Sequence, residues 1–414
     1  MRALLAAAAL AFSAPLAAHE LPEWRPVDAE TGQIRDVEGL EALAADFPDS
    51  GSVRLRMLNA QLGEGDVEAV LASLAWLKER GYVFSAAAQA QVPQLLGEEN
   101  AEAARALLIA EAEVIEASEV IAEVPAEAGL IESVSVHADD VMFVTSVTGN
   151  ALHLLLRDNG WIRVPVDGTN DLSGIVVEPD FSAVWVASAD LDDSGSADGQ
   201  MTGLLALGEG VPLAFATAPE GAKVSDLSIA DNGTVYASNP IGGDILRKGP
   251  GLDASLDVWI HAGTFRSPQG SAISADGSRL YLSDYRYGLA MVDIESGAVS
   301  RLASDVAVLL DGVDGLWRHG NELIAVQNGT SPMRISAFTL SENGTRIVAA
   351  RILEQGHPDW TEPLGGSISG DALVYVGTGQ WDRYENGVLR EGMEAIPTQI
   401  RRLPLGMGEA GSED

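Results

Sequence analysis

The chain of 414 residues contains no cysteine. That excludes disulfides, thiolate metal ligands and thiol nucleophiles. Positive charge is scarce: 25 Lys and Arg stand against 61 Asp and Glu, a net charge of −36 at pH 7. Such a surface repels phosphate backbones and anionic lipids, so neither nucleic acid nor membrane is expected as a partner, while divalent cations are attracted. No segment reaches the roughly 18 uninterrupted apolar residues of a membrane helix. Common catalytic signatures are also missing. There is no G-x-S-x-G elbow, H-E-x-x-H, P-loop or G-x-G-x-x-G after a strand. The six histidines are scattered and none is assigned a role.

What the chain does have begins with MRALLAAAALAFSAPLAAHE. Arg2 followed by the apolar run Ala3 to Phe12 and the small residues Pro15 to Ala18 reads as a secretory signal peptide, residues 1–18, cut near Ala18. A linker, 19–27, would follow. No cysteine follows, so bacterial lipoprotein attachment is excluded. The mature chain is expected to be periplasmic or secreted.

Residues 28–118 carry helical periodicity. Val67, Val70, Leu71, Leu74 and Leu77 fall on one face of a helix that Asp66 would cap and Gly81 would stop. A second helix is expected from Val53 to about Leu62, broken by Gly63 and Gly65. A third is expected over Ala101 to Glu116. Helix pairs with Gly-containing turns resemble tetratricopeptide hairpins, without a 34-residue repeat. The segment reads as a small all-α cap on the next domain, with a protein-binding groove as the other reading.

From Leu130 the texture changes to short apolar strands punctuated by Gly, Asp, Asn and Pro. One pattern recurs six times, as in SDLSIADNGTVYASN and PQGSAISADGSRLYLSD. Its equivalent positions are Glu132, Gly174, Asp226, Gln269, Asp314 and Gly365, spaced 42 to 52 residues apart. That period suits a four-stranded blade. The fold class is therefore mainly β: a six-bladed β-propeller over 119–405, preceded by the helical domain. The last blade lacks an outer strand, and Glu119 to Val124 is expected to pair with the strand at Gln399 to Leu405 and close the ring. Residues 406–414 read as a disordered tail.

In a propeller, the residues that open the innermost strands converge at one mouth of the central channel. Here they are Glu132, Asp226, Gln269 and Asp314. Three carboxylates and an amide suit a hard divalent cation, Ca²⁺ first, with Mg²⁺, Mn²⁺ and Zn²⁺ as further candidates. Ends of the second strands add Ser146, Ser188, Asn239, Asp284, Tyr285 and Gln327, and Trp381 and Tyr384 could cover the mouth. The loop with Asp190, Asp192, Asp193, Ser194, Gly195 and Asp198 has the start of a calcium-loop spacing. Met201 stands where the bidentate Glu would be, so it reads as a solvated acidic loop.

Over about Leu130 to Leu405 the pattern resembles the family of gluconolactonase, regucalcin (senescence marker protein) and luciferin-regenerating enzyme. Glu132 and Asp314, in VDGLW, match the family's metal-binding Glu and Asp. Gln269, in SPQG, stands where the family has Asn, and Ser225, beside Asp226, replaces its substrate-contacting Asn. The resemblance implies metal-dependent hydrolysis of a lactone or related ester. Glu132, Gln269 and Asp314 would be ligands and Asp314 also the general base. Asp226, Ser225, Asp284 and Gln327 would contact the small-molecule ligand. The alternative is a non-catalytic propeller that binds a small ligand or a partner protein.

Overall fold

The computed structural model describes residues 21–137, 141–156, 160–178, 180, 182–192, 194–195, 199–208 and 211–406. The signal-peptide segment and residues 407–414 of the tail lie outside them. Six four-stranded antiparallel units surround one axis, with a fifth strand, Ala303–Ser304, added to the edge of blade 5. The innermost strands are Ile131–His137, Asp171–Val177, Leu227–Ile229, Pro268–Ile273, Gly315–His319 and Gly366–Ser369. The second strand of each blade is buried on both faces between neighbouring sheets, and its sequence shows why. Glu322–Gln327 reads ELIAVQ, an apolar run between polar ends, and is buried throughout.

The ring closes as expected. Glu119–Val124 pairs antiparallel with Thr398–Pro404, with Val124 opposite Thr398 and Glu119 opposite Arg402. The sixth blade is thus built from both ends of the propeller sequence, which leaves no blade one strand short.

Five α-helices precede the ring: α1 (Val37–Asp46), α2 (Gly51–Glu64), α3 (Val67–Glu79), α4 (Ala86–Leu95) and α5 (Ala101–Leu107). Asp66 caps α3 by accepting from the Ala69 N–H, as the sequence implies. α2 runs through Gly63 and ends at Gly65, which adopts φ +74°. The expected helix over 101–116 stops at Leu107, and Ile115 instead bridges to Gln355 on blade 5. α1 and α4 were not anticipated. Both are short, at ten residues each, and are held by packing, α1 through the buried Leu40 and Leu43 and α4 through Val92 and Pro93.

The helices dock on the rim of blades 3 to 5. Trp24, Leu40, Leu43, Phe47, Val53 and Met57 share one apolar cluster with Tyr236, Phe265, Leu282 and Tyr287 of the propeller. Asp311, 2% exposed, accepts the first N–H groups of α2 from Gly51 at 2.8 Å and Ser52 at 2.7 Å. A carboxylate at a helix N-terminus satisfies orphan donors and opposes the helix dipole favourably. The contacted loops, around 265, 286 and 310, flank the starts of innermost strands, so the helical domain borders the mouth.

If ring closure carries stability, Ile400→Ala should cost about 2–5 kcal/mol, because Ile400 is fully buried between Val376 and Ala122. The exposed Val388→Ala should cost under about 0.5 kcal/mol. Urea unfolding midpoints distinguish them; equal midpoints would count against the closure.

Candidate functional site

The mouth is organised by backbone bonds between blades. Gly174 N–H donates to the Ser225 carbonyl at 3.1 Å, Gly270 N–H to the Asp314 carbonyl at 2.8 Å, and Gly365 N–H to the Glu132 carbonyl at 3.1 Å. Blades 2 and 3, 4 and 5, and 6 and 1 are thus stitched in pairs. A Cβ on Gly174 would lie 2.3 Å from the Ser225 oxygen, and one on Gly270 2.5 Å from the Leu316 nitrogen. Even-numbered blades must therefore present glycine. The odd-numbered blades present Glu132, Asp226 and Asp314. Bulges interrupt the strand register at 131–133, 172–175 and 268–271, which re-aims the residues between them.

These carboxylates disturb one another. Burial pushes Glu132 well above its ordinary value, and Asp314 and Asp226 add repulsion. Burial raises Asp226 to about 7. Burial and the charge of Asp226 raise Asp314 to about 8, with the Asn328 amide partly offsetting them. A fourth acid, Glu362, rises to about 7 through burial and the charges of Asp314 and Asp382. No lysine or arginine is among the influences on these four groups. The result is a half-buried cluster of carboxyls with no cationic counterweight.

Aromatic and amide groups frame it. Trp381 Nε1 donates to Glu132 Oε2 at 2.6 Å, and Tyr384 packs on Leu130 and Val147, so both expected cover residues lie over blade 1. Tyr285 Oη donates to Asn328 Oδ1 at 2.8 Å, and Asn328 Nδ2 donates to the Pro363 carbonyl beside Glu362. Gln269 opens the fourth innermost strand and is half-buried. Ser225 uses its backbone to join blades 2 and 3 and is 7% exposed.

Asp284 and Gln327 differ from expectation. Asp284 is 0% exposed, and its carboxylate accepts the Arg266, Ser267 and Arg286 N–H groups. Gln327 is 1% exposed and bonds the Leu309 and Asp311 carbonyls and the Ser336 hydroxyl. Ser146, Ser188 and Asn239 hold their own loops in the same way. The polar ends of the second strands thus clamp their flanking loops. The residue one place further on approaches the mouth acids, as Tyr285, one of the expected candidates, and Asn328, which was not expected, both do. That offset of one follows from strand alternation and was readable. Glu362 lies in a loop outside the repeat motif, and no pattern marked it.

Among the described residues, the only trio of acidic or histidine ligand atoms within 4.8 Å of one another is Asp171, Asp190 and Asp192. Asp193, Ser196 and Asp198 of that loop lie outside the described residues. Its third acid is Asp171, which opens the second innermost strand; burial pushes it to about 6 although the Leu191 and Asp192 N–H groups stabilise its charged form. Asp190 is also paired with Lys223 at 2.8 Å. At the mouth the donors are all oxygens, which fits a hard cation, but the carboxylates stand further apart than that trio.

A channel cavity of ≈ 710 Å³ is lined by all six innermost strands and reaches the turns at their far ends, at Ala230 to Asn232 and Ser274 to Gly277. Its walls are mostly Gly, Ser and aliphatic side chains, with Asp226 the one mouth carboxylate among them. The reactive groups therefore sit at the mouth rather than along the tube.

The molecule is a six-bladed β-propeller with a helical domain on its rim. No family model matches the chain, and a search of curated proteins finds no match. Among solved structures, a virginiamycin B lyase from Staphylococcus aureus is 12% identical, with 69% of this chain and 99% of that one aligned at a TM-score of 0.49. A gluconolactonase from Xanthomonas campestris is 14% identical over 70% and 98% of the two chains, at 0.46. A luciferin-regenerating enzyme is 13% identical over 70% and 95%, at 0.47.

Acids whose native pKa lies above the unfolded value take up protons on folding, so stability falls as pH rises between the two values. With Asp226 and Glu362 near 7 and Asp314 near 8, chelator-treated protein should lose stability from about pH 5 to 8, on the order of 1 kcal/mol per pH unit for each acid. Asp314→Asn should flatten the slope in urea unfolding at several pH values. A profile that is flat in wild type, or unchanged in the variant, contradicts the cluster.

Proposed function

We propose that the mouth binds a hard divalent cation and a small oxygen-rich substrate, and that the protein is an exported hydrolase of a lactone or related ester. The observation that carries this reading is the set of four mutually repelling carboxyls with no cationic counterweight. A cation would relieve that repulsion and let the acids ionise near neutral pH. Glu132, Gln269 and Asp314 would hold it, with Ca²⁺ the first candidate for an all-oxygen donor set. When bound, it would polarise the substrate carbonyl.

The chain's own groups would do the rest. Asp314, ionised once the cation relieves the repulsion from Asp226, would accept a proton from attacking water. Asp226 would orient the substrate from the channel wall. Trp381, fixed on Glu132, would shield the mouth from bulk water. Export rests on the signal-peptide reading. Among the described residues no helix is long and apolar enough to cross a membrane.

One observation favours a second reading, a binding propeller without turnover. Glu132 Oε2 is already engaged by Trp381, and the mouth acids are wider apart than a ligating trio. Such a mouth could hold a cationic small ligand without chemistry.

Calorimetry with Ca²⁺, Mg²⁺, Mn²⁺ and Zn²⁺ decides the first step. One cation per chain should bind, at least tenfold more weakly in Asp314→Ala. Binding that ignores this substitution would reject the metal site. Hydrolysis of gluconolactone-like substrates by wild type, lost in Glu132→Gln, would select the hydrolase; cation binding without turnover on a lactone panel would select the binding propeller.

A further inference from the structure

A second cavity, of ≈ 730 Å³, lies where α1 and α2 meet the loops of blade 4. Its walls carry Arg35 and Arg56 from the helical side and Arg266 and Arg286 from the propeller side, with Asn59 and Tyr287 between them. Four of the chain's 25 basic residues thus face one space in a protein of net charge −36. On statistical grounds alone, each should find an acid nearby. None does: among the described residues no ion pair involves any of the four.

Their hydrogen bonds leave the pocket side free. Arg56 uses one terminal nitrogen on the Thr31 and Ile34 carbonyls, and its other approaches Tyr287 Oη at 3.4 Å. Its buried Nε has no partner. Arg35 bonds only the carbonyls of Gly32 and Ile34. The guanidinium groups of Arg266 and Arg286 are exposed and make no hydrogen bond to described residues. Neighbouring acids are spent on backbone: Asp36 caps α1, Asp311 caps α2, and Asp284 accepts the N–H groups of both Arg266 and Arg286. That last contact ties the two arginine-bearing loops to one buried carboxylate, so the pocket's propeller wall is pre-organised.

We propose that this pocket is a binding site for a small molecule bearing clustered negative oxygens, a phosphate ester or a dicarboxylate. Guanidinium forks match both groups in geometry, and several converging on one cavity can desolvate and hold an anion that the rest of the surface repels. A largely pre-formed concave site between two domains is where such ligands are usually held. The site is separate from the cation reading of the mouth and does not depend on it. It adjoins the mouth through consecutive residues, Tyr285 facing the carboxyls and Arg286 facing the pocket.

The test is calorimetry on the metal-free full chain at low ionic strength, with inorganic phosphate and with succinate as probes. One probe or both should bind saturably at one site per chain, and the preferred one identifies the class. Binding should weaken at least tenfold in the Arg266→Ala/Arg286→Ala double variant, partly recover in the corresponding Lys double variant, and fall with added salt. The two side chains are exposed and make no side-chain bonds, so the variants should keep the wild-type melting temperature. No saturable binding of either anion by wild type, or equal binding by the alanine variant, overturns the proposal.

Discussion

The three bonds from glycine N–H groups to carbonyls of the next blade are the constraint on which the mouth depends. Six sheets converging on one axis leave no room for six side chains there. The chain resolves the crowding by alternation: Gly174, Gly270 and Gly365 let their blades approach the backbone of Ser225, Asp314 and Glu132. Because the accepting carbonyls belong to or immediately precede the acidic residues, the same bonds fix the backbones of the carboxylates. A single added Cβ would push the paired blades apart and move an acid with them. Small-to-large changes at such contacts typically cost about 1–3 kcal/mol.

That geometry sets the electrostatics. Three acids held by rigid backbone cannot separate, so burial and proximity raise their pKa values. Glu362 approaches from the loop before the sixth innermost strand and deepens the effect. A protein that could relieve the repulsion with one arginine has instead placed four arginines in the adjacent pocket, whose neighbouring acids are engaged by backbone N–H groups. The two sites therefore share one face with opposite sign, and each stays uncompensated. Such separation costs stability and makes sense where charged ligands supply the missing partner.

Much of the ring was legible because its signals are periodic. Six motif copies, their turn residues and the missing outer strand foretold the blades and their closure by Glu119–Val124. Glu132, Asp226 and Asp314 were legible as well, since each occupies the same motif position. The helical domain was less so: α1 and α4 are only ten residues long and are held by packing, and the stretch after Leu107 leaves the helix so that Ile115 pairs with Gln355. Glu362 and the arginine pocket could not be read, because their residues come together only through loops and docking. Arg35 and Arg266 are far apart in the chain and share no repeat position.

The displaced expectations for Asp284 and Gln327 have a physical reason that applies to every blade. A second strand is buried on both sides, so a polar residue at its end must satisfy itself within the protein or bear a desolvation penalty. Local N–H and carbonyl groups of the flanking loops are the nearest partners, and Ser146, Ser188, Asn239, Asp284 and Gln327 all take them. Function is then left to the next residue, which leaves the sheet plane. Where that residue is Tyr285 or Asn328 it meets the mouth; where it is Val147 it packs beneath Tyr384. The clamps are not idle in this scheme. Asp284 positions both Tyr285 toward the carboxyls and the Arg266 and Arg286 backbones toward the pocket, so one buried carboxylate supports two sites without touching a ligand in either.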